Sequence, residues 1–384
     1  MKKVLFILFL MLPAGLAAQD SLEEKSGKFT AGGYLKELAY LTLDEINQEE
    51  YITSILHHRL NMQWMPNERF SASVSFRNRL IWGDEVRLIP GYVALLRNKN
   101  EGLDLQKAWI SGKSMVLHTS VERLNVEYTG TRWNFRLGRQ RINWGMTTTW
   151  NPNDIFNTYN FLDVDYEERP GNDGARIQYF SGGNSNVEWA IAYNHFKDKP
   201  VTAIKYTFNR WKYDFQLIGG WYFDRPSLGM GWAGNIRNLG FKGEAQFFFN
   251  KNNSPSNLNL SMEWNYLTDN NWFFNLGILF NKQGKYKPIQ NWAEIDLNLS
   301  AENLMPTRYN VIGTVSREFT PLFSGNAGIL FAPGTNLLIL LPSLRYSLAN
   351  NLDADLVWQS FFVEDQNRFS SMSHVAFVRL KLSY

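Results

Sequence analysis

Three arginines stand near the end of an alternating segment, and a loop rich in aromatic and turn-forming residues follows them at once. They are Arg136, Arg139 and Arg141, and the loop continues through residues 142–157. A guanidinium group keeps its charge at every relevant pH and binds carboxylates or phosphates through paired hydrogen bonds. These residue types favour an anion-binding surface; the alternative is that they only clamp the loop to its surroundings.

Carboxylates follow in the same loop and could face the arginines. They are Asp154, Asp163, Asp165, Glu167 and Glu168. Two oppositely charged surfaces that face each other across water form a charge-selective constriction. We therefore predict that the loop folds inwards and that its carboxylates lie opposite the cations.

The N-terminus has the layout of a secretory signal. Two lysines precede an apolar run from Val4 to Leu12, and small residues follow as far as Ala18. This order is typical of a signal peptide, and the apolar run is shorter than the ~20 residues of a membrane-spanning helix. We predict a cleaved signal in residues 1–18 and one exported domain, an outer-membrane β-barrel, in residues 19–384.

Large apolar side chains are abundant although the chain is polar on average. Aromatic residues make up 15% of the sequence, yet the mean hydropathy is −0.32. An antiparallel barrel in lipid reconciles these values, because each strand alternates an outward apolar residue with an inward polar one. The sequence has 0 cysteines, which excludes disulfides, and its net charge of +3 is too small to indicate nucleic-acid binding.

Period-two alternation is clearest in residues 69–82. Four apolar residues point one way and four polar residues the other: Phe70, Ala72, Val74 and Phe76 against Ser71, Ser73, Ser75 and Arg77. Counting such segments gives about eighteen strands, with about sixteen as the alternative if one hairpin is misassigned. We therefore predict an all-β fold, a transmembrane antiparallel up-and-down β-barrel. Short turns should lie at one end and the long links 83–120, 143–172 and 284–303 at the other.

Residues 83–120 are open to two interpretations. Ile89, Val93, Leu95 and Leu96 suggest a short helix, whereas Leu103, Leu105 and Trp109 fit either a strand or a folded loop.

An inward row of cations follows when each apolar strand face is turned towards lipid. Strict alternation, however, would leave Arg139 and Arg141 on the lipid side, at a cost of roughly 2 to 4 kcal/mol each at mid-membrane. One alternative is that both arginines lie above the apolar band, among lipopolysaccharide phosphates, where the cost falls towards ~0 to 1 kcal/mol. We favour a second, in which a β-bulge at Gly138 turns them inwards, since glycine accepts positive φ without steric penalty. The predicted lumen and constriction residues are Arg59, Arg77, Arg79, Arg123, Arg136, Arg139, Arg141, Arg176, Asp154, Asp163 and Asp165.

The turn Asn151-Pro152-Asn153-Asp154 has its own prediction. Its residue types favour a turn that begins a short helix, with Asp154 near the helix N-cap.

The last strand has a marked alternation and ends in an aromatic residue. Leu380 and Leu382 share one face, Lys381 and Ser383 the other, and Tyr384 closes the chain. This resembles the signal read by the barrel assembly machinery of the outer membrane, which we predict as a partner. The predicted surroundings of the outer face are membrane lipid and lipopolysaccharide.

Two segments resemble a stretch shared by porin-like outer-membrane barrels related to the alginate-export and phosphate-selective porin groups. They are residues 137–145 (Leu-Gly-Arg-Gln-Arg-Ile-Asn-Trp-Gly) and residues 150–157 (Trp-Asn-Pro-Asn-Asp-Ile-Phe-Asn). The resemblance implies passive or facilitated passage of small anionic solutes through the outer membrane of a Gram-negative bacterium. It implies no particular solute.

Two other classes of function stay open: a barrel enzyme, and a structural or partner-binding barrel with a plugged lumen. The five histidines are scattered without the spacing of a metal site, and the sequence predicts neither a cofactor nor a nucleophile and base brought together by strand register. We therefore predict a channel rather than an enzyme. A homotrimer is an assembly that the sequence permits.

Overall fold

The protein is a closed antiparallel barrel of 18 strands. The computed structural model describes residues 27–98, 101–158, 160–165, 170–251, 255–288, 299–365 and 368–384. The signal peptide predicted in residues 1–18, together with Glu167 and Glu168, lies outside the described residues. In the described part of the chain, no helix combines the length and the apolar character needed to cross a membrane.

The elements of the first half are β1 (Lys28–Asp44), β2 (Glu49–Asn67), β3 (Phe70–Gly83), α1 (Asp84–Leu88), α2 (Tyr92–Leu95), β4 (Gln106–Ser111), β5 (Met115–Thr129), β6 (Trp133–Gln140), β7 (Asn172–Gly182), β8 (Ser185–Asn194), β9 (Lys199–Arg210) and β10 (Tyr213–Tyr222). Those of the second half are β11 (Arg225–Ile236), β12 (Leu239–Phe248), β13 (Asn257–Leu267), β14 (Trp272–Asn281), β15 (Tyr309–Thr320), β16 (Phe323–Ala332), β17 (Leu337–Leu340), β18 (Ser343–Ala349), β19 (Leu352–Asp365) and β20 (Arg368–Ser383).

Two of these segments do not add strands to the barrel. β17 and β18 pair in succession with β16 and with β19, so they are two halves of one strand. Pro342, which lacks an N–H group, stands at the break between them. β4 pairs only with the part of β5 that extends beyond the short β6. The barrel closes where β1 pairs with β20.

The alternation predicted from the sequence is the alternation of the structure. Trp133 and Leu137 are 46% and 62% exposed on the outer face, whereas Asn134 between them is buried. Apolar and aromatic side chains thus face lipid, and polar ones face the interior, as in membrane barrels.

The two ends of the barrel differ as predicted. Every link at the end where β1 begins and β20 ends is two to four residues long, and we call it the short-turn end. At one of these turns Trp211 and Lys212 both have positive φ, 55° and 63°, the geometry that suits the twist of a two-residue hairpin. The links β3–β5, β6–β7 and β14–β15 all lie at the opposite, long-loop end.

Residues 83–120 contain both of the structures that the sequence suggested. The helical segment is α2, preceded by the short α1, and Trp109 lies in the strand β4. β5 begins at Met115, several residues before the alternation becomes clear in the sequence. The apolar side chains of this region pack over the long-loop end of β1 to β3, against Leu38, Ile55 and Ile81.

Two long-loop segments fold into the barrel and fill part of its interior. From the β6–β7 link, Ile142, Trp144 and Phe156 are buried in one cluster with Ala301 of the β14–β15 link. Trp150 belongs to a second cluster that includes other residues of that link and the inner faces of β14 to β17. The interior therefore has an apolar core built by loops against the wall.

Candidate functional site

The inner wall of β1, β2 and β3 is strongly basic. Lys36, His57, Arg59, Arg77 and Arg79 are all buried on this face, with exposures between 0% and 8%. Strand register sets them side by side, because Lys36 lies opposite His57, His57 opposite Arg79, and Arg59 opposite Arg77. The structure thus brings three of the predicted arginines together and adds a lysine and a histidine to them.

The row continues on both sides of these three strands. Arg79 lies opposite His118 of β5, and Lys36 lies opposite Lys381 of β20. Five adjacent strands therefore place a basic residue at one level of the inner wall. Lys381, Lys36 and Arg79 supply the positive charge of this row, which raises the local concentration of anions.

The other predicted wall arginines lie nearer the short-turn end, and two of the three have a carboxylate partner. Arg136 pairs with Glu127 of the neighbouring strand, and Arg176 lies 3.8 Å from the same carboxylate. Arg123 donates to the carbonyl of Glu122 at 2.7 Å. A bulge in the β3–β5 ladder at this level turns Glu122 and Arg123 to the interior together.

The β6–β7 link, residues 141–171, crosses the barrel from β6 to the acidic side of the wall. The buried carboxylate of Glu244 on β12 accepts hydrogen bonds from the backbone N–H groups of Thr147 and Asn153, at 2.7 and 2.9 Å. Glu263 on β13 accepts one from Thr148 at 2.6 Å. These charge-assisted bonds fix the middle of the loop to strands far from its own.

The far end of the same loop reaches the basic wall. The Asp165 carboxylate lies 2.6 Å from Arg77, 3.1 Å from Lys36 and 3.3 Å from His57. Burial acts to raise the pKa of Asp165, but these three groups together hold it well below its usual range. Asp165 is therefore ionised, and the structure brings it against a predicted wall arginine.

The other two predicted loop carboxylates have different surroundings. Asp154 is buried, and in the amide orientation that satisfies both neighbours Asn143 donates to it at 3.1 Å and accepts from Arg141 at 3.3 Å. Asp163 is exposed and lines a cavity of about 260 Å³ together with Arg77 and Arg79.

The predicted helix after Asn151 is wrong. The chain makes a turn there, in which the Asp154 N–H donates to the Asn151 carbonyl at 3.1 Å, and no helix follows in the described residues 155–158 and 160–165. Asn153 donates its N–H to Glu244 instead of to a helix cap, so the wall sets this conformation.

Arg139 lies within the wall rather than at the lumen surface. It is 1% exposed, makes two hydrogen bonds to Asp173, and also donates to the Val121 carbonyl and pairs with Glu101. These partners come from β7, β5 and the segment before β4, so one guanidinium joins three parts of the wall.

The bulge predicted at Gly138 is also wrong. Pairing of β6 with β5 and with β7 continues through Gly138 without a shift of register. Gly138 does have the positive φ expected of glycine, 110°, and an added Cβ would lie 2.2 Å from the Leu124 carbonyl oxygen. The sequence therefore indicated correctly that Gly138 adopts positive φ, but the predicted β-bulge does not form there.

The buried carboxylate of Glu101 should make the folding stability of the barrel depend on pH. Burial raises its pKa from 4.5 to about 7, against the opposing effect of Arg139. Because the folded protein then holds this proton more tightly than the unfolded chain does, stability falls as the pH rises from 4.5 to about 7. The shift corresponds to roughly 3 kcal/mol.

Glu101→Gln should therefore be less sensitive to pH than the native protein. The measurement is the urea midpoint in phospholipid vesicles at pH 5 and pH 8, with Asp104→Asn, an exposed carboxylate three positions away, as control. An unchanged difference between the two pH values in Glu101→Gln would show that another group titrates.

Several residues of this site were missed by the sequence analysis. Lys36, Glu244 and Glu263 occupy inward positions, and the inward parity of their strands was the available signal. His57 was considered only as a metal ligand or a catalytic residue; among the described residues no group of three or more metal-ligand side chains is found. The contribution of the β14–β15 link to the interior had no sequence signal.

The comparisons with known proteins concern the fold. No family model matches the sequence, and no curated protein matches it. Among solved structures, OccAB4 of Acinetobacter baumannii has a TM-score of 0.60 at 8% identity, covering 94% of this chain and 99% of that one. OccK7 (OpdD) and OccK5 (OpdH) of Pseudomonas aeruginosa have TM-scores of 0.58 and 0.57 at 10% and 9% identity. They cover 93% and 92% of this chain, and 98% of each of those chains.

At such low identity the likeness extends to the fold alone. A closed barrel with an apolar outer face is the architecture of proteins that span the bacterial outer membrane. The protein is accordingly an outer-membrane β-barrel with the fold of the Occ barrels.

Proposed function

We propose that the protein is a porin-like channel through which small anionic solutes cross the outer membrane. The observation that carries the proposal is the basic row on β20, β1, β2, β3 and β5, which lies inside the barrel beside an inward-folded loop. Arginine and lysine side chains on a low-dielectric wall attract and hold carboxylates and phosphates.

The constriction in this proposal lies between the basic row and the loop. Asp163 and Asp165 face Arg77 and Arg79 there, so the passage has both signs of charge at its edge. A pore of this kind binds an anion well enough to admit it and weakly enough to release it, because the loop carboxylates compete with the solute.

A second cavity lies in another part of the barrel interior. This cavity of about 610 Å³ lies towards the short-turn end and is lined by inward residues of β13 to β20, among them Arg345, Asp355 and Arg379. An anion that passes the basic row would enter this cavity next.

A plugged structural or partner-binding barrel is the second candidate. The observation that favours it is the burial of the loop residues Ile142, Trp144 and Ile155 and of Met305, each at most 2% exposed inside the barrel. A plug of this kind needs no solute, and its partner would bind the exposed loops instead.

One contact between a serine and a histidine bears on the alternative that the protein is an enzyme. Strand register sets Ser360 opposite His374, whose two ring nitrogens lie 2.8 Å from the hydroxyls of Ser360 and Ser371. Ser360 is only 4% exposed and also accepts a hydrogen bond from Trp358. We assign this contact a packing role, since a nucleophile must reach its substrate.

Purified protein in a planar bilayer separates these candidates. The proposal predicts discrete ion-conducting steps, with an anion preference in a salt gradient. A protein that inserts as a folded barrel but conducts no ions would support the plugged alternative.

The finer parts of the proposal concern relatives and partners. The segment similar to the alginate-export and phosphate-selective porin groups implies the same class of anionic solute. We further propose that the outer face contacts lipid and lipopolysaccharide, that the assembly machinery reads β20, and that a homotrimer is an assembly to be tested by crosslinking in the membrane.

A further inference from the structure

Two buried cations and a buried histidine on adjacent strands surround one carboxylate. Arg77 of β3 contacts one oxygen of Asp165 at 2.6 Å, and Lys36 of β1 and His57 of β2 contact the other at 3.1 and 3.3 Å. The three basic side chains belong to the wall and are at most 3% exposed. The carboxylate belongs to the loop, so this is a built anion site whose ligand comes from a different element.

The two ends of the loop are attached by different chemistry. Residues 146–153 are held through their backbone N–H groups by buried wall carboxylates. Asp165 is attached to the wall through its side-chain carboxylate, and a free carboxylate can make the same contacts. The Lys36 ammonium also donates to the Asp165 backbone carbonyl at 2.8 Å, a bond that would be lost together with the side-chain contacts.

Space next to the site admits a small anion. The cavity of about 260 Å³ is lined by Arg77 itself and by Arg79, Asn160 and Asp163. Since a water molecule takes up roughly 30 Å³ in the liquid, a small carboxylate fits there. A solute in this cavity can therefore reach the guanidinium that Asp165 also contacts.

We propose that Asp165 is an internal ligand of the Lys36–His57–Arg77 site, and that a solute carboxylate displaces it and releases this end of the loop from the wall. The inference rests on the proposed function and deepens it, because it makes the solute the agent that loosens the constriction. Displacement exchanges one set of carboxylate contacts for another of the same kind, so solute concentration decides the outcome. Chloride is a single atom and lacks the two oxygens with which Asp165 bridges Arg77 to Lys36 and His57, so it does not replace Asp165.

The test measures how accessible the loop is, and does not depend on ion conduction through the barrel. Val164 is half-buried against the wall cluster of Leu38 and Ile55, and the chain has 0 cysteines. Val164→Cys therefore introduces a single thiol whose reaction with a maleimide reports release of the loop. We expect sodium acetate to raise the labelling rate about tenfold over sodium chloride of equal ionic strength, a change that a single lost charged contact can produce.

Two variants sharpen the result in the Val164→Cys background. Asp165→Asn should label rapidly without acetate, whereas Arg77→Ala should label at a rate that acetate no longer changes. Asp104→Asn, which removes an exposed carboxylate from another loop, should behave like the parent. Should Asp165→Asn fail to assemble, the acetate response of the parent still decides the matter.

Labelling tests the internal-ligand proposal and conductance tests the channel proposal, so the failure of one can be told from the failure of the other. Equal labelling in acetate and chloride would overturn the internal-ligand proposal, even if the protein conducts anions. An acetate response in a barrel without conductance would retain the site and overturn the channel.

Discussion

Arg139→Ala should destabilise the barrel more than any other single arginine replacement in β6. The substitution leaves the buried Glu101 carboxylate and the largely buried Asp173 carboxylate without their shared cation, and it removes the donor to the Val121 carbonyl. Breaking a buried ion pair by removing one partner costs about 3 to 5 kcal/mol, because the remaining charge stays out of water. We expect a lower urea midpoint in phospholipid vesicles and early proteolysis of residues 101–105.

Arg136→Ala is the matched control. Arg136 stands on the same strand, three residues earlier, and its ion pair with Glu127 is about a quarter exposed on the arginine side. A pair that water partly reaches contributes less than a fully buried one, so this variant should unfold closer to the native midpoint than Arg139→Ala. Equal midpoints for the two variants would refute the assignment of Arg139 as the residue that joins the wall.

Removal of the last five residues, 380–384, should abolish assembly of the barrel. Leu380 and Leu382 pair with Glu37 and Leu35 of β1, and Tyr384 exchanges backbone hydrogen bonds with Gly33 at 2.9 and 3.0 Å. Without them the start of β1 becomes an open edge in lipid, where each unpaired backbone group costs several kcal/mol. The measurement is the heat-modifiable band of the folded barrel in isolated outer membranes.

Tyr384→Phe removes the hydroxyl of Tyr384 and keeps its aromatic ring. The hydroxyl donates to the Arg59 carbonyl at 3.1 Å and lies 2.7 Å from His58, so the variant loses two contacts but keeps the strand pairing. It should assemble at nearly native levels. If the five-residue deletion reaches the membrane as efficiently as this variant, the terminal strand is not needed for closure.

The barrel could be predicted from the sequence because its physical causes are local. Alternation along each strand fixes which side chains face lipid, and turn-forming residues fix the hairpins, so the strand number and the placement of long loops followed. Phe70 to Arg77 show this most clearly. The interruption at Pro342 and the insertion of β4 were the details that the pattern did not reveal.

The site was predictable only in part, because contacts between loops and distant strands have no local signal. The inward parity of Arg77 and Arg79 follows from alternation, and the inward folding of the loop was inferred from charge. That Glu244, about a hundred residues away, binds the loop backbone could not be read from the sequence. Arg139 is buried although alternation places it on the lipid side, because the segment before β4 covers it. Strand alternation alone does not predict such a contact.

The measurement that tests the central claim most directly is the reversal potential of single channels in a potassium chloride gradient. The native protein should prefer anions, and Arg77→Ala with Arg79→Ala should move the reversal potential towards zero. Arg210→Ala, which removes an exposed arginine stacked on Trp211 at a short turn, should leave it unchanged. A reversal potential that is the same in the native protein and in the double variant would contradict the claim that the basic row selects the solute.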